Sequence, residues 1–199
     1  MVLIGASGHS KVIRDILDLS GCDVVCLYDD RKLEKFNSIP VNSPISGIPD
    51  YTEAIISIGD NYTRKRISDS YTTLKYQIAT HPQSVIDESV SIGVGTVVMA
   101  SATINNSTVI GKHCIINTSS SIDHDCVIED YIHLSPGAVL CGGIHVSEGS
   151  HIGAGAVVSP NLKIGKWATI GAGAVVINNI PDYAVVVGNP GKIIKYNER

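Results

Sequence analysis

Aliphatic side chains return at every sixth position through the second half of the chain. Stepping from Ile86 gives Ile92, Val98, Ile104, Ile110, Ile116, Ile122 and Ile128, then Leu134, Leu140, Val146, Ile152, Val158, Ile164, Ile170 and Val176. Two residues before the anchor the side chain is usually small, as at Ser84, Thr96, Ala102, Thr108, Ser120, Ala138, Ser150, Ala156, Ala168 and Ala174. Ile132, Ile144 and Leu162 depart from this rule. Gly (Gly93, Gly111, Gly153, Gly165, Gly171) or Asn and Asp (Asn105, Asn117, Asp123) often follow the anchor directly, and these types tolerate φ > 0 at a sharp turn.

A helix would repeat its apolar stripe every 3.6 residues and a half-buried strand at every second one. A six-residue period with small and turn-forming punctuation predicts a triangular prism instead. Each hexapeptide supplies one short strand and one corner, three make a coil, and coils stack at about 4.8 Å through parallel ladders. Residues 84–180 predict a little over five coils without an inserted loop. The tail, Ile180-Pro181-Asp182-Tyr183 through Gly188-Asn189-Pro190-Gly191-Lys192, is expected to leave the prism, with Ala184-Val185-Val186-Val187 packing back to cover its open end.

The front of the chain lacks this period. Val2-Leu3-Ile4 predicts a short buried strand, and Val12, Ile13, Ile16, Leu17 and Leu19 predict one side of a helix. Residues 23–28 and 54–59 predict two further strands, and a basic helix is expected around Arg64, Lys65 and Arg66. Strands alternating with helices argue for a small parallel α/β unit. The expected division is a Rossmann-like domain over 1–80 and the prism with its tail over 81–199, with 74–83 as the crossing.

Composition narrows the function classes. The 199 residues are 44% hydrophobic and 17% charged, with nineteen glycines and one Phe, which suits a folded chain rich in tight turns. A net charge of −4 gives no general attraction to nucleic acid or anionic membrane. No stretch approaches the roughly 18–20 apolar residues of a membrane span. The start, Met1-Val2-Leu3-Ile4-Gly5, has neither a basic segment nor a long apolar one, so a secretory signal is not expected. The five cysteines (Cys22, Cys26, Cys114, Cys126, Cys141) form no CxxC pair and read as small apolar residues in a reducing cytoplasm, not as a disulfide or zinc framework.

Ligands of open α/β sheets bind beyond the carboxyl ends of the strands. Those ends carry Gly5-Ala6-Ser7-Gly8-His9, Asp29-Asp30 and Gly59-Asp60-Asn61. A Gly-rich turn at a helix start lets phosphate approach backbone N–H groups, although G-x-G-x-x-G is absent. A plain strand-to-helix turn is the competing reading. Among the seven histidines, His124 stands out. It falls two residues after anchor Ile122, hence at an outward corner, and lies between Asp123 and Asp125. Neutral imidazole suits a general base, and a carboxylate beside it can fix its tautomer. His133 and His151, eighteen residues apart, are expected to stack in successive coils. Such a pair raises a metal-site alternative of the kind found in β-helical carbonic anhydrases, which would need a third histidine from another subunit.

The hexapeptide repeat resembles the bacterial acyltransferase superfamily. Read together, Gly5-Ala6-Ser7-Gly8-His9, Asp29-Asp30, Ile58-Gly59-Asp60-Asn61, Asn117-Thr118-Ser119-Ser120, Ile122-Asp123-His124-Asp125-Cys126-Val127-Ile128 and His133-Leu134-Ser135-Pro136-Gly137-Ala138 are similar to the PglD/NeuD-like sugar acetyltransferases over nearly the whole chain. That resemblance implies a left-handed parallel β-helix, a homotrimer with active sites between subunits, and acetyl-CoA as co-substrate without a metal. It implies a UDP-linked amino sugar, as in the bacillosamine pathway, on the α/β domain. The uridine would lie near Asp29-Asp30 and the phosphates near the Gly-rich turn. His124 matches the family's base and Asp125 its acid, where the relatives carry Glu. His133 and Gly142 match positions flanking the thioester and pantetheine. Ala154 and Ala172 match backbone sites along the CoA arm, and the Gly188–Pro190 tail lies near the adenine end. O-acetylation of a sialic acid, or a non-catalytic sugar-binding scaffold, are the rival readings.

Overall fold

The computed structural model describes residues 1–198. Its first unit runs β1 (Val2–Ile4), α1 (Gly8–Leu19), β2 (Cys26–Tyr28), β3 (Lys35–Phe36), β4 (Ile39–Asn42), β5 (Glu53–Ile56), α2 (Asn61–Ser70) and β6 (Lys75–Tyr76). The sheet order is β3-β4-β2-β1-β5-β6, parallel except for the β3–β4 hairpin. Central β1 is buried at all three residues, as a parallel strand covered on both faces requires.

The remainder is a parallel β-helix of three faces. Strands of the first face begin at Ala79, Val97, Ile115, His133, His151 and Thr169, giving six coils. The second face begins with Val85–Ile86 and ends with Val175–Val176; the third begins with Ser91–Ile92 and ends with Lys163–Ile164. From Val98 onward the anchors point inward and are buried, and the small residues two places earlier fill the corners beside them. The first coil starts earlier than the repeat implies because its anchor position is Thr80, which is not aliphatic; Ala79–Thr80 nonetheless pairs with Val97–Val98.

Two further expectations are corrected. The tail does not leave the prism. Ala184–Val187 extends the first face by parallel pairing with Thr169–Ile170, and Lys192–Tyr196 closes that sheet as an antiparallel strand. The left-handed residue of each corner also lies three places after the anchor, not one. Ser101, Ser107, His113, Ser119, Asp125, Tyr131, Asn161 and Trp167 take φ of 52–60°, and glycines such as Gly137 and Gly149 take the same region at other corners. The glycine directly after the anchor serves a different need. A Cβ at Gly93 would lie 2.6 Å from the Gly111 backbone, and one at Gly153 would lie 2.6 Å from Ala172 N. Close approach between coils, not φ, selects glycine there.

The α/β unit lies on the first face. Outward-pointing Ala79, Val97 and Ile115 are buried against Leu3, Ile13, Ile16 and Leu17. Helix α2 lies on the edge between the third and first faces, where the corner residues are the bulky His113 and Tyr131. Their rings stack at 5.5 Å, and Ser68 Oγ is 2.9 Å from Tyr131 Oη. The left-handed strain at such bulky corners is offset by this packing.

Candidate functional site

The Gly-rich turn is held open by Asp29. Its Oδ2 accepts from Ala6 N at 2.8 Å, and its Oδ1 accepts from Arg31 N and Nε at 2.9 Å. Arg31 also donates to Ala6 O at 2.6 Å. The guanidinium and the backbone donors hold the Asp29 carboxyl down to about 2. Asp29 therefore shapes the turn, while Asp30 accepts from Ile45 N at 3.0 Å and remains exposed. Gly5, at φ 109°, has no room for a Cβ beside Ile58, whereas Gly8 faces open space. Ser7 precedes α1 in extended backbone. The N–H groups of Gly8 and His9 have no acceptor among the described residues, so the helix start is free to receive an anion.

On the other side of β1, Asp60 caps α2 by accepting from Thr63 N at 2.8 Å. Asn61, expected to meet substrate, is turned inward instead. Its Nδ2 donates to Gly149 O at 3.0 Å and Ser150 O at 3.2 Å, and its Oδ1 accepts from Arg64. Asn61 is a docking group: it ties α2 to the prism edge through Gly149 O, which accepts from no backbone N–H among the described residues, and through Ser150 O, which also accepts from His133 N. A cleft of about 1140 Å³ opens here, bordered by Gly59, Asp60, Lys65, His133, His151, Trp167 and Tyr183.

His133 and His151 stack at 4.8 Å as the spacing predicts, and His9 stands 6.5 Å from His133. Asn117 Nδ2 meets His133 Nε2 at 3.0 Å, and Ser135 Oγ meets His151 Nε2 at 2.8 Å. Burial depresses all three imidazoles. His9 falls to about 4 with Arg64 as second cause, and His133 to about 3 with His151 and Arg64 adding to burial. His151 is lowered by burial and Arg64. All three are neutral at pH 7; His133 and His151 are hydrogen-bonded, whereas His9 Nε2 is buried without a partner among the described residues. Among the described residues no set of three or more His, Cys, Asp or Glu is placed to hold a metal ion.

His124 and Asp125 occupy the edge between the second and third faces. The left-handed conformation of Asp125, φ 57°, swings its Oδ2 to 2.7 Å from His124 Nδ1. Asp123 accepts from His124 N at 2.9 Å and from Asn105 Nδ2 at 2.9 Å, so it fixes the corner instead of the ring. A carboxylate only accepts, so Nδ1 carries the proton and Nε2 presents its lone pair. The hydrogen bond to Asp125, then the charge of Asp123, raise the pKa of His124. Its ring lies over Gly142 in the next coil, where a Cβ would come within 2.7 Å of Nε2.

Position two after the anchor carries a second signal. At Lys112, Thr118, His124, Glu148 and Lys166 the backbone N–H there is capped by a side-chain oxygen. At Gly142, Ala154 and Ala172 it has no acceptor among the described residues. Ala154 and Ala172 line the edge between the first and second faces. The tail turn with Gly188 and Pro190 continues from there: Gly188 O accepts from Val175 N at 3.0 Å, and Val187 packs at Gly171. Arg64 was the residue least visible in the sequence. It is fully buried at the junction of the two units.

Known proteins share this fold over nearly the whole chain. Residues 1–71 match the PglD N-terminal domain family. Perosamine N-acetyltransferase from Caulobacter crescentus, solved as a histidine mutant with CoA and GDP-perosamine, is 33% identical over 98% of this chain and 96% of that one, with a TM-score of 0.93. The acetyltransferase domain of PglB from Neisseria gonorrhoeae, with acetyl coenzyme A, is 33% identical over 97% of this chain and 98% of that one, with a TM-score of 0.92. A UDP-N-acetylbacillosamine N-acetyltransferase of Bacillus subtilis is 37% identical over 110 residues, a match spanning 50% of this chain and 51% of that protein. No helix among the described residues is long and apolar enough to cross a membrane. With the α/β unit, the hexapeptide prism and near full-length similarity in hand, the chain belongs to the PglD/NeuD-like family of hexapeptide-repeat sugar N-acetyltransferases.

Proposed function

We propose that this protein transfers the acetyl group of acetyl-CoA to the 4-amino group of a UDP-linked amino-deoxy sugar, in the cytoplasm and as a homotrimer. The observation that carries the reading is His124, oriented by Asp125 with Nε2 free above Gly142. In the proposed step the sugar amine attacks the thioester carbonyl and a C–N bond forms. Nε2 of His124 takes the amine proton, and the Gly142 N–H stabilises the oxyanion. The C–S bond then breaks, and the thiolate leaves with the proton held by His124. No covalent acetyl-enzyme is required.

The nucleotide end is assigned to the free N–H groups at Gly8 and His9, with Asp30, Gly59 and Asp60 around it. Asn117 and His133 stand between that end and the sugar. The free N–H groups of Ala154 and Ala172, running toward Gly188 and Pro190, suit the amide-bearing arm of CoA. These stand on a different prism edge from His124. A complete site therefore needs a second copy, whose His124 edge faces the first copy's Ala154 edge. The second and third faces carry exposed Val85, Val109 and Val127, apolar surface suited to such a contact. The named nucleotides of the relatives differ, UDP in one and GDP in another. Thiol release should therefore be measured with UDP-, GDP- and dTDP-linked 4-amino sugars and with free sialic acid. The proposal expects the highest kcat/KM with the UDP sugar. Turnover of sialic acid alone would replace it with O-acetylation, and absence of acetyl-CoA binding by calorimetry would favour a scaffold.

A further inference from the structure

Arg64 is a buried cation on which the charge of Asp60 acts without an ion pair. Its side chain is fully buried, yet no carboxylate meets it among the described residues. Its guanidinium is instead surrounded by oxygen atoms of both units. Nη1 donates to Ile58 O at 3.0 Å and Gly59 O at 3.2 Å, within the loop that follows β5. Nη2 donates to Asn61 Oδ1 at 2.8 Å and Tyr131 O at 3.1 Å, and Nε donates to His113 O at 2.6 Å. Burial lowers its pKa only to about 10, so it stays charged. A buried charge is costly unless its donors are all satisfied. Here one planar fork satisfies them by joining the Ile58–Asn61 loop to the coil backbone at Tyr131, two residues before His133. Lysine offers a point donor and cannot span both sides in this way.

From this geometry we infer that Arg64 is a positioning residue, which sets the nucleotide-sugar loop Ile58–Asn61 at a fixed distance from His133. The inference rests on the assignment of that loop to the sugar nucleotide. Arg64 itself touches no substrate; it acts through the loop carbonyls and through Asn61. Loss of the fork frees the loop to move against the prism, which weakens the hold on the sugar nucleotide equally in the ground and transition states, a loss read in KM and not in kcat.

The test uses Arg64→Lys and Arg64→Gln in the full chain, with Asn61→Ala as a milder break of the same tether. Ser68→Ala serves as a control that removes the bond to Tyr131 elsewhere on α2. Arg64→Lys is expected to raise KM for the nucleotide amino sugar roughly 10-fold or more, with KM for acetyl-CoA and kcat little changed. Amide exchange of the 57–61 segment should quicken in the same variant without any ligand. Ser68→Ala should lower the melting temperature but leave the sugar KM alone. Wild-type sugar KM together with wild-type loop protection in Arg64→Lys and Asn61→Ala would overturn the inference. If the wild-type protein fails to use nucleotide sugars, the functional reading falls, while the exchange measurement still decides the tether.

Discussion

The contact between His124 and the next coil offers a perturbation smaller than removing the base. Gly142 has an ordinary backbone φ, so alanine fits its conformation without strain. Its Cβ, however, would stand 2.7 Å from both Nε2 and Cε1 of His124, where ordinary contact begins near 3.4 Å. The ring must retreat by about 0.7 Å, because repulsion at the shorter distance exceeds any dispersion gain. His124 is a surface side chain, 56% exposed, so it can swing outward at little cost to folding. That motion withdraws Nε2 from the proposed reaction centre and strains the bond to Asp125. Gly142→Ala should therefore reduce kcat roughly 10- to 10²-fold with the melting temperature nearly unchanged. The Gly142 N–H is retained, so the loss isolates the ring position from oxyanion stabilisation. Thiol release would be followed in single and double variants with His124→Ala. The ring-displacement argument requires Gly142→Ala to have no further effect once the ring is absent. Full activity of Gly142→Ala, or an equal loss in the His124→Ala background, would refute it.

The acid limb of kcat should be shifted upward from the ordinary histidine value, since the bond to Asp125 raises His124 and it must lose its proton to act. Asp125→Asn should move that limb to lower pH while reducing kcat, and an unmoved limb would assign the titration to another group. His9, His113 and His133 are held near 3 to 4 in the folded chain against an unfolded value of 6.5. Their stabilisation is complete above pH 6.5 and is lost progressively as pH falls toward 4, at about 1.4 kcal/mol per unit of depression at most. Urea midpoints recorded from pH 7 to 4 should fall through that window; a flat profile would contradict the burial of these imidazoles in neutral form. Leu140→Ala, in the prism core, should cost about 2–5 kcal/mol in chemical denaturation, and a change below about 1 kcal/mol would argue that the coil collapses around the gap.

The prism was legible because one physical demand repeats. Every anchor from Val98 to Val176 must face a dry interior, so its identity survives the changes in its neighbours. Where the demand relaxes, the pattern fades. Thr80 occupies the anchor position of the first coil, at the end of the prism where it is only half-buried, and a hydroxyl is tolerated there. The left-handed corner position was hidden because its residues are as unlike as Ser119, Asp125, Tyr131 and Trp167. The β3–β4 hairpin, two and four residues long, carries too little periodicity to be read. His124 and the His133–His151 stack were visible through spacing alone. Asn61 reads from the sequence as a substrate contact and Arg64 only as part of a basic helix; their docking roles were not legible, because their partners include backbone carbonyls of Gly149 and Tyr131, which carry no side-chain signature. One readable sign of the docking face existed: Val97 and Ile115 are aliphatic at successive outward positions of a single face. Val109 and Val127 share that pattern yet stay exposed, so the sign marks an apolar face without naming what covers it.

The central claim is direct acetyl transfer to a nucleotide-linked amine with His124 as the base. Its most direct test is a reaction of purified protein with acetyl-CoA and a UDP-4-amino sugar, followed by mass spectrometry of the sugar and by thiol release. The account predicts one acetyl group on the amine per thiol released, with His124→Ala slower by on the order of 10²- to 10⁴-fold and still correctly assembled. An unmodified sugar, or near-normal turnover by His124→Ala, would contradict it.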